Sequence, residues 1–152
     1  MGDQEGKDLL LSRLTSRGIK QERIKFLGQN PCKKEHLSTY QEIDIALDTF
    51  PVSGATTTME TLWMGVPLIT LYAHRHSGRV STSMLTQMNL TEGITHTKDD
   101  YIQRAIAWAN DREQLIQWRK TIRKRMMQSP LGDAPAFTRE LEAAYLKMAT
   151  KA

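Results

Sequence analysis

Two short apolar runs constrain this chain more than anything else in it: residues 43–47 (IDIAL) and 68–71 (LITL), with helical spacing between them. Near-continuous apolar runs of that length, bounded by acids and turn residues, are what strands buried on both faces of a parallel sheet present. Between them Met59, Leu62, Trp63 and Val66 fall at i, i+3, i+4 and i+7, the stripe of an amphipathic helix closing near Gly65. Strand, helix and strand joined by short links require a parallel pair with a right-handed crossover, hence an α/β layered fold.

The flanks extend that reading. Leu9, Leu10, Leu11 and Leu14 predict a helix over residues 4–17 that stops at Gly18. Residues 23–27 (RIKFL) form a strand candidate, and residues 33–41 a brief helix. Beyond His76 the periodicity is helical, over 80–88, 99–110, 111–127 and 135–148, with Asp111 and Gln114 spaced as a capping box. Three or four strands are fewer than a complete doubly wound sheet holds, so a first strand is expected to be lacking. The chain is expected to be a single domain over 1–152, its C-terminal helical part covering about 98–150, with one core supplied by 39% hydrophobic residues.

No apolar stretch approaches the ~20 residues of a membrane span, and the N-terminus is polar, without the apolar run of a signal peptide. The single Cys32 cannot close an intrachain disulfide. A cytoplasmic protein with no membrane partner is expected. The net charge of +4 is largely local: Arg119, Lys120, Arg123, Lys124 and Arg125 share a segment with Leu115, Trp118, Ile122 and Met126 at helical spacing. That pattern predicts a solvated basic face rather than a nucleic-acid surface, because aromatics make up only 7% of residues and no stacking or zinc-knuckle pattern accompanies the charge. No Cys/His cluster or acidic pair has ligand spacing, so no metal and no cofactor is expected.

In open parallel sheets ligands bind at the carboxyl ends of strands. The run ending at Asp48 leads into FPVSGA, where Pro51 fixes a bend and Gly54 allows close backbone approach, and then Thr56, Thr57 and Thr58 open the helix. Unpaired N–H groups, the positive end of the helix dipole and up to three hydroxyls suit a phosphate or pyrophosphate. The same threonines also fit an ordinary N-cap and first turn. Glu60, one turn in, suits either ribose hydroxyls or simple pairing with the dipole.

The stretch 44–67, DIALDTFPVSGATTTMETLWMGVP, resembles the motif block of the protein O-GlcNAc transferase family, which includes SPINDLY-type O-fucosyltransferases and bacterial N-glucosyltransferases. The similarity continues through Arg79-Val80, through Ser129-Pro130-Leu131 and into the closing helix, covering nearly everything from Arg23 onward. It implies a Rossmann-like parallel sheet flanked by helices, the C-terminal domain of a GT-B glycosyltransferase, whose partner N-terminal Rossmann domain lies outside this chain. It further implies a nucleotide-sugar donor and a protein acceptor. Matched residue by residue, Ala55, Thr56 and Thr57 would hold the diphosphate and Glu60 the ribose, with Gly54 and Thr58 among the nucleotide-binding residues. Pro31, Lys33 and His36, in the segment PCKKEH, would lie against the nucleoside. Many members carry histidine where Ala55 stands; the threonine-rich version is similar to the SPINDLY-like and bacterial members.

The implied reaction transfers N-acetylglucosamine from UDP-GlcNAc to Ser/Thr, with Thr56 and Thr57 as the catalytic pair that stabilises the leaving diphosphate. GDP-fucose or UDP-glucose as donor, or a non-catalytic nucleotide- or partner-binding module, remain alternatives. His76 and Arg79, after LITL, are possible donor contacts; His74 is a weaker candidate and His96 a surface residue. Phe137, Leu141, Tyr145 and Met148 share one face of the closing helix, which predicts an exposed apolar surface.

Overall fold

The computed structural model describes residues 4–28 and 32–150 and divides the chain into two units, Met1–Thr39 and Tyr40–Ala152. In the first unit, α1 (Gln4–Thr15) ends as its sequence predicts, with Gly18 at φ +84° donating its N–H to the Thr15 carbonyl. Residues 23–27 do not form the predicted strand. Gln21–Arg23 is a 3₁₀ turn, residues 24–28 carry no ladder, and Phe26 and Leu27 are exposed. An apolar run becomes a strand only where another strand satisfies its backbone, and this unit offers none among its described residues. The helix α2 (Lys33–Ser38) is shorter than predicted, because Thr39–Glu42 tightens into a 3₁₀ turn.

The second unit holds the sheet. Strand β1 (Ala46–Leu47) pairs in parallel with β2 (Leu68–Leu71), and β2 with β3 (Ile94–Thr95), in the order β1-β2-β3. The registers Ala46↔Leu68 and Thr70↔Ile94 follow. Helix α3 (Thr56–Trp63) is the β1–β2 crossover, and α4 (Val80–Gln87) lies between β2 and β3. Then come α5 (Lys98–Asn110), α6 (Arg112–Gln128) and α7 (Ala134–Ala149). Strand β3 is too short, and too close to the polar His96, to leave an apolar run in the sequence. Its place is set by pairing with β2.

Gly65 sits at φ +79°, where a Cβ would lie 2.7 Å from the Arg119 carbonyl, so only glycine lets α6 pack this closely on the end of α3. Leu62, Val66, Ile69, Leu85 and Ile122 are fully buried between the sheet and the helices, and the rings of Trp108 and Trp118 approach to 4.3 Å. The basic face of α6 needs one correction. Arg119 is not solvated: its guanidinium donates to the carbonyls of Tyr40 and Met64, each at 3.1 Å, and to that of Ile43. Arg123 lies over the Trp63 ring, 4.2 Å from its centroid. A planar fork of donors serves several carbonyls at once, which charge spacing in a sequence does not reveal. No helix among the described residues is long and apolar enough to cross a membrane.

Candidate functional site

The carboxyl ends of the three strands are tied together by hydroxyls. Thr95 donates to the Thr70 carbonyl at 2.9 Å, and Thr70 Oγ1 donates to Asp48 Oδ2 at 2.7 Å. The other carboxylate oxygen of Asp48 accepts from the N–H groups of Gly54 (2.8 Å) and Thr49 (3.0 Å). Asp48 is buried, and a buried carboxylate is tolerated when it is this fully hydrogen-bonded. The Tyr101 hydroxyl donates to the Asp48 carbonyl at 2.9 Å; burial, reinforced by the charge of Asp48, pushes its pKa from 10.0 to about 12. The β1 exit is therefore a fixed frame from which the following loop departs.

That loop turns at the cis Phe50–Pro51 bond and is pinned to the start of α4. Ser53 donates to the Ser77 carbonyl through both its N–H (2.9 Å) and its hydroxyl (3.1 Å), and its Oγ accepts from Val80 N at 3.2 Å. Ser81 Oγ donates to the Gly54 carbonyl at 3.2 Å and shares a hydrogen bond with Thr58 Oγ1 at 2.8 Å. A Cβ on Gly54 would come within 2.6 Å of Thr58 Oγ1, 2.9 Å of Thr57 Oγ1 and 3.3 Å of Asp48 Oδ1, so close approach requires glycine here.

At the helix start the three threonines part company. Thr58 is buried and its hydroxyl is engaged by Ser81, whereas Ala55, Thr56 and Thr57 are exposed. Ala55 occupies the N-cap position and no side chain caps α3. Thr56 and Thr57 thus stand exposed beside the uncapped first N–H groups of a positive helix end. Glu60 is half-buried one turn on, and accepts from the Tyr40 hydroxyl at 3.5 Å. Burial raises the pKa of that hydroxyl, and the Glu60 charge adds to the effect.

Lys33 and His36 stand on α2 in the first unit, Lys33 exposed and His36 half-buried; Pro31 lies outside the described residues. His76 opens a 3₁₀ turn, His76–Gly78, and Arg79 takes the N-cap position of α4 without capping it by side chain. The Tyr72 ring contacts both His74 and His96, each at 5.5 Å between centroids. Among the described residues no group of three His, Cys, Asp or Glu is placed to hold a metal.

Sequence reasoning missed Asp48, Thr70, Thr95, Ser81 and Tyr101 as the frame of this site. An acid immediately after an apolar run, and a threonine inside LITL, were the signals available. Each is a polar group placed where it must find a buried partner.

The profile of glycosyl transferase family 41 matches residues 3–141. A probable UDP-N-acetylglucosamine–peptide N-acetylglucosaminyltransferase SPINDLY from Hordeum vulgare is 39% identical over 138 residues, 91% of this chain and 15% of that protein. A UDP-N-acetylglucosamine–peptide N-acetylglucosaminyltransferase from Caenorhabditis elegans is 28% identical over 91% of this chain and 12% of its own length. A solved O-GlcNAc transferase mutant from Thermobaculum terrenum superposes with a TM-score of 0.89 at 38% identity, covering 96% of this chain and 28% of that one. The parallel sheet flanked by helices is thus the Rossmann-like arrangement of a GT-B glycosyltransferase. The chain spans about a sixth or less of the curated relatives it matches. It belongs to glycosyl transferase family 41.

Proposed function

We propose that this chain is the donor-binding part of a protein glycosyltransferase, and that Ala55, Thr56 and Thr57 hold the diphosphate of a nucleotide sugar. The observation that carries this reading is the start of α3: no side chain caps it, Thr56 and Thr57 are exposed, and the loop before it is hydrogen-bonded into place by Asp48 and Ser81. Donors held in position before the reaction stabilise charge growing on a leaving diphosphate without reorganising. Thr56 and Thr57 therefore act as leaving-group stabilisers, and Glu60 is positioned to accept from a ribose hydroxyl. Lys33 and His36 are proposed to approach the nucleoside. The names of the relatives favour UDP-N-acetylglucosamine as donor and a protein hydroxyl as acceptor. The remaining catalytic groups, and the rest of the acceptor site, are assigned to a further Rossmann domain of a longer, cytoplasmic polypeptide.

The test is a titration of the chain with UDP and with GDP, followed by amide shifts, beside a Thr56→Val/Thr57→Val variant. Saturable shifts centred on Ala55 to Thr57, and an affinity at least ~10-fold weaker in the variant, are expected from the loss of two hydrogen bonds to a charged group. Shifts of equal size in the variant would sink the assignment. UDP binding more tightly than GDP is the expected order for the donor.

A further inference from the structure

Beside the pinned loop lies an open groove of about 560 Å³, at the carboxyl end of β2 and along the start of α4. Val80, Met84 and Leu131 supply an apolar floor, and His76, Arg79 and Tyr72 supply polar walls. Its volume falls within the range of sites that take a drug-sized ligand or a few residues of polypeptide. Two observations describe what would fill it. No acid among the described residues contributes to its lining, and residues 61–91 contain neither Asp nor Glu but do contain His74, Arg75, His76 and Arg79. Arg79 is exposed, and no carboxylate among the described residues pairs with it.

We propose that this groove binds an acidic polypeptide segment. A carboxylate of the segment pairs with Arg79, and a neighbouring apolar side chain lies on Met84 and Leu131. The groove adjoins the proposed donor turn, because Val80 N donates to Ser53 Oγ and Ser81 Oγ donates to the Gly54 carbonyl, one residue before Ala55. This proposal rests on the donor-binding reading for its meaning: the segment is an acceptor protein, selected for acids near the modified residue. Charge on the rim then governs which acceptor arrives more than how tightly it is held.

The test uses the full chain and a fluorescein-labelled peptide in which Glu residues flank a Val-Ser pair, beside the same peptide with each Glu changed to Gln or to Lys. Fluorescence anisotropy is expected to show saturable binding of the Glu peptide, weaker by at least ~10-fold for the Gln peptide and for Arg79→Gln, consistent with loss of a charge-assisted pair. Arg79→Glu is expected to exchange the preference and favour the Lys peptide, an outcome that misfolding cannot produce. Equal binding of the three peptides, or none, overturns the proposal. So does displacement of the Glu peptide by UDP with both ligands lost in Arg79→Gln, since the groove would then belong to the donor. The Thr56→Val/Thr57→Val titration reports on the donor reading separately, so failure of one is distinguishable from failure of the other.

Discussion

The helix starts of the second unit divide into two kinds. At α5, α6 and α7 a side chain caps the first turn: Thr97 accepts from Asp100 N, Asp111 from Gln114 N and Asp133 from Ala136 N. At α3 and α4 the N-cap positions are held by Ala55 and Arg79, and neither side chain caps. The capped starts lie where a helix only has to begin. The uncapped pair lies at the carboxyl ends of β1 and β2, bound to each other through Ser53, Gly54 and Ser81. At α4 the hydroxyl of Ser53, from the neighbouring loop, accepts from Val80 N and Ser81 N, so only α3 forgoes the roughly 1 kcal/mol of a cap and keeps its first N–H groups available to something outside the chain. The same unit thus spends its side-chain oxygens in two ways: at α5 to α7 on the helix itself, and at α3 on holding the loop still.

That contrast can be broken in steps of decreasing size. Asp48→Ala removes the acceptor of Gly54 N, Thr49 N and Thr70 Oγ1, and is expected to lower stability in urea by about 3 kcal/mol and to abolish UDP shifts together with the frame. Retained stability with normal UDP binding would show that the loop stands without its carboxylate. Ala55→Asp gives α3 the acid that caps α6 and α7. It places negative charge where a diphosphate is proposed, so UDP affinity in calorimetry is expected to fall at least ~10-fold, or ~1.4 kcal/mol, while the thermal midpoint holds or rises. A fall in both would mean the residue serves the fold alone. Asp111→Ala, at a capped start, is expected to cost about 1 kcal/mol of stability in urea and to leave the UDP titration unchanged.

Of the capped starts, that of α6 was legible as such. Asp111 followed by Gln114 is a local signal, complete within four residues, and the structure places the bond there at 3.0 Å. LITL was legible too, since a strand buried on both faces needs only its own apolar run, and β2 occupies residues 68–71 as read. Residues 23–27 carry a similar run and form no strand, and β3 forms without one. Both differences have one cause: a strand is a relation between segments, and a two-residue strand is defined almost wholly by its neighbour. The threonines show the same limit at the site. Thr56, Thr57 and Thr58 are alike in the sequence, yet only Thr58 turns inward to Ser81. The face each side chain takes depends on where α4 begins, 22 residues after Thr58.

By itself the sequence determined the fold class, the helix that follows β1, the glycine at position 54 and the family, because periodicity, turn chemistry and a long motif are local properties of the chain. Only the tertiary structure decided that Asp48 is the hub of the strand ends, that Arg119 gathers three carbonyls instead of facing solvent, and that Arg79 borders a groove without an acid. Those roles belong to buried polar and charged groups. Such a group is stable only beside particular partners, and long-range packing chooses which ones it meets.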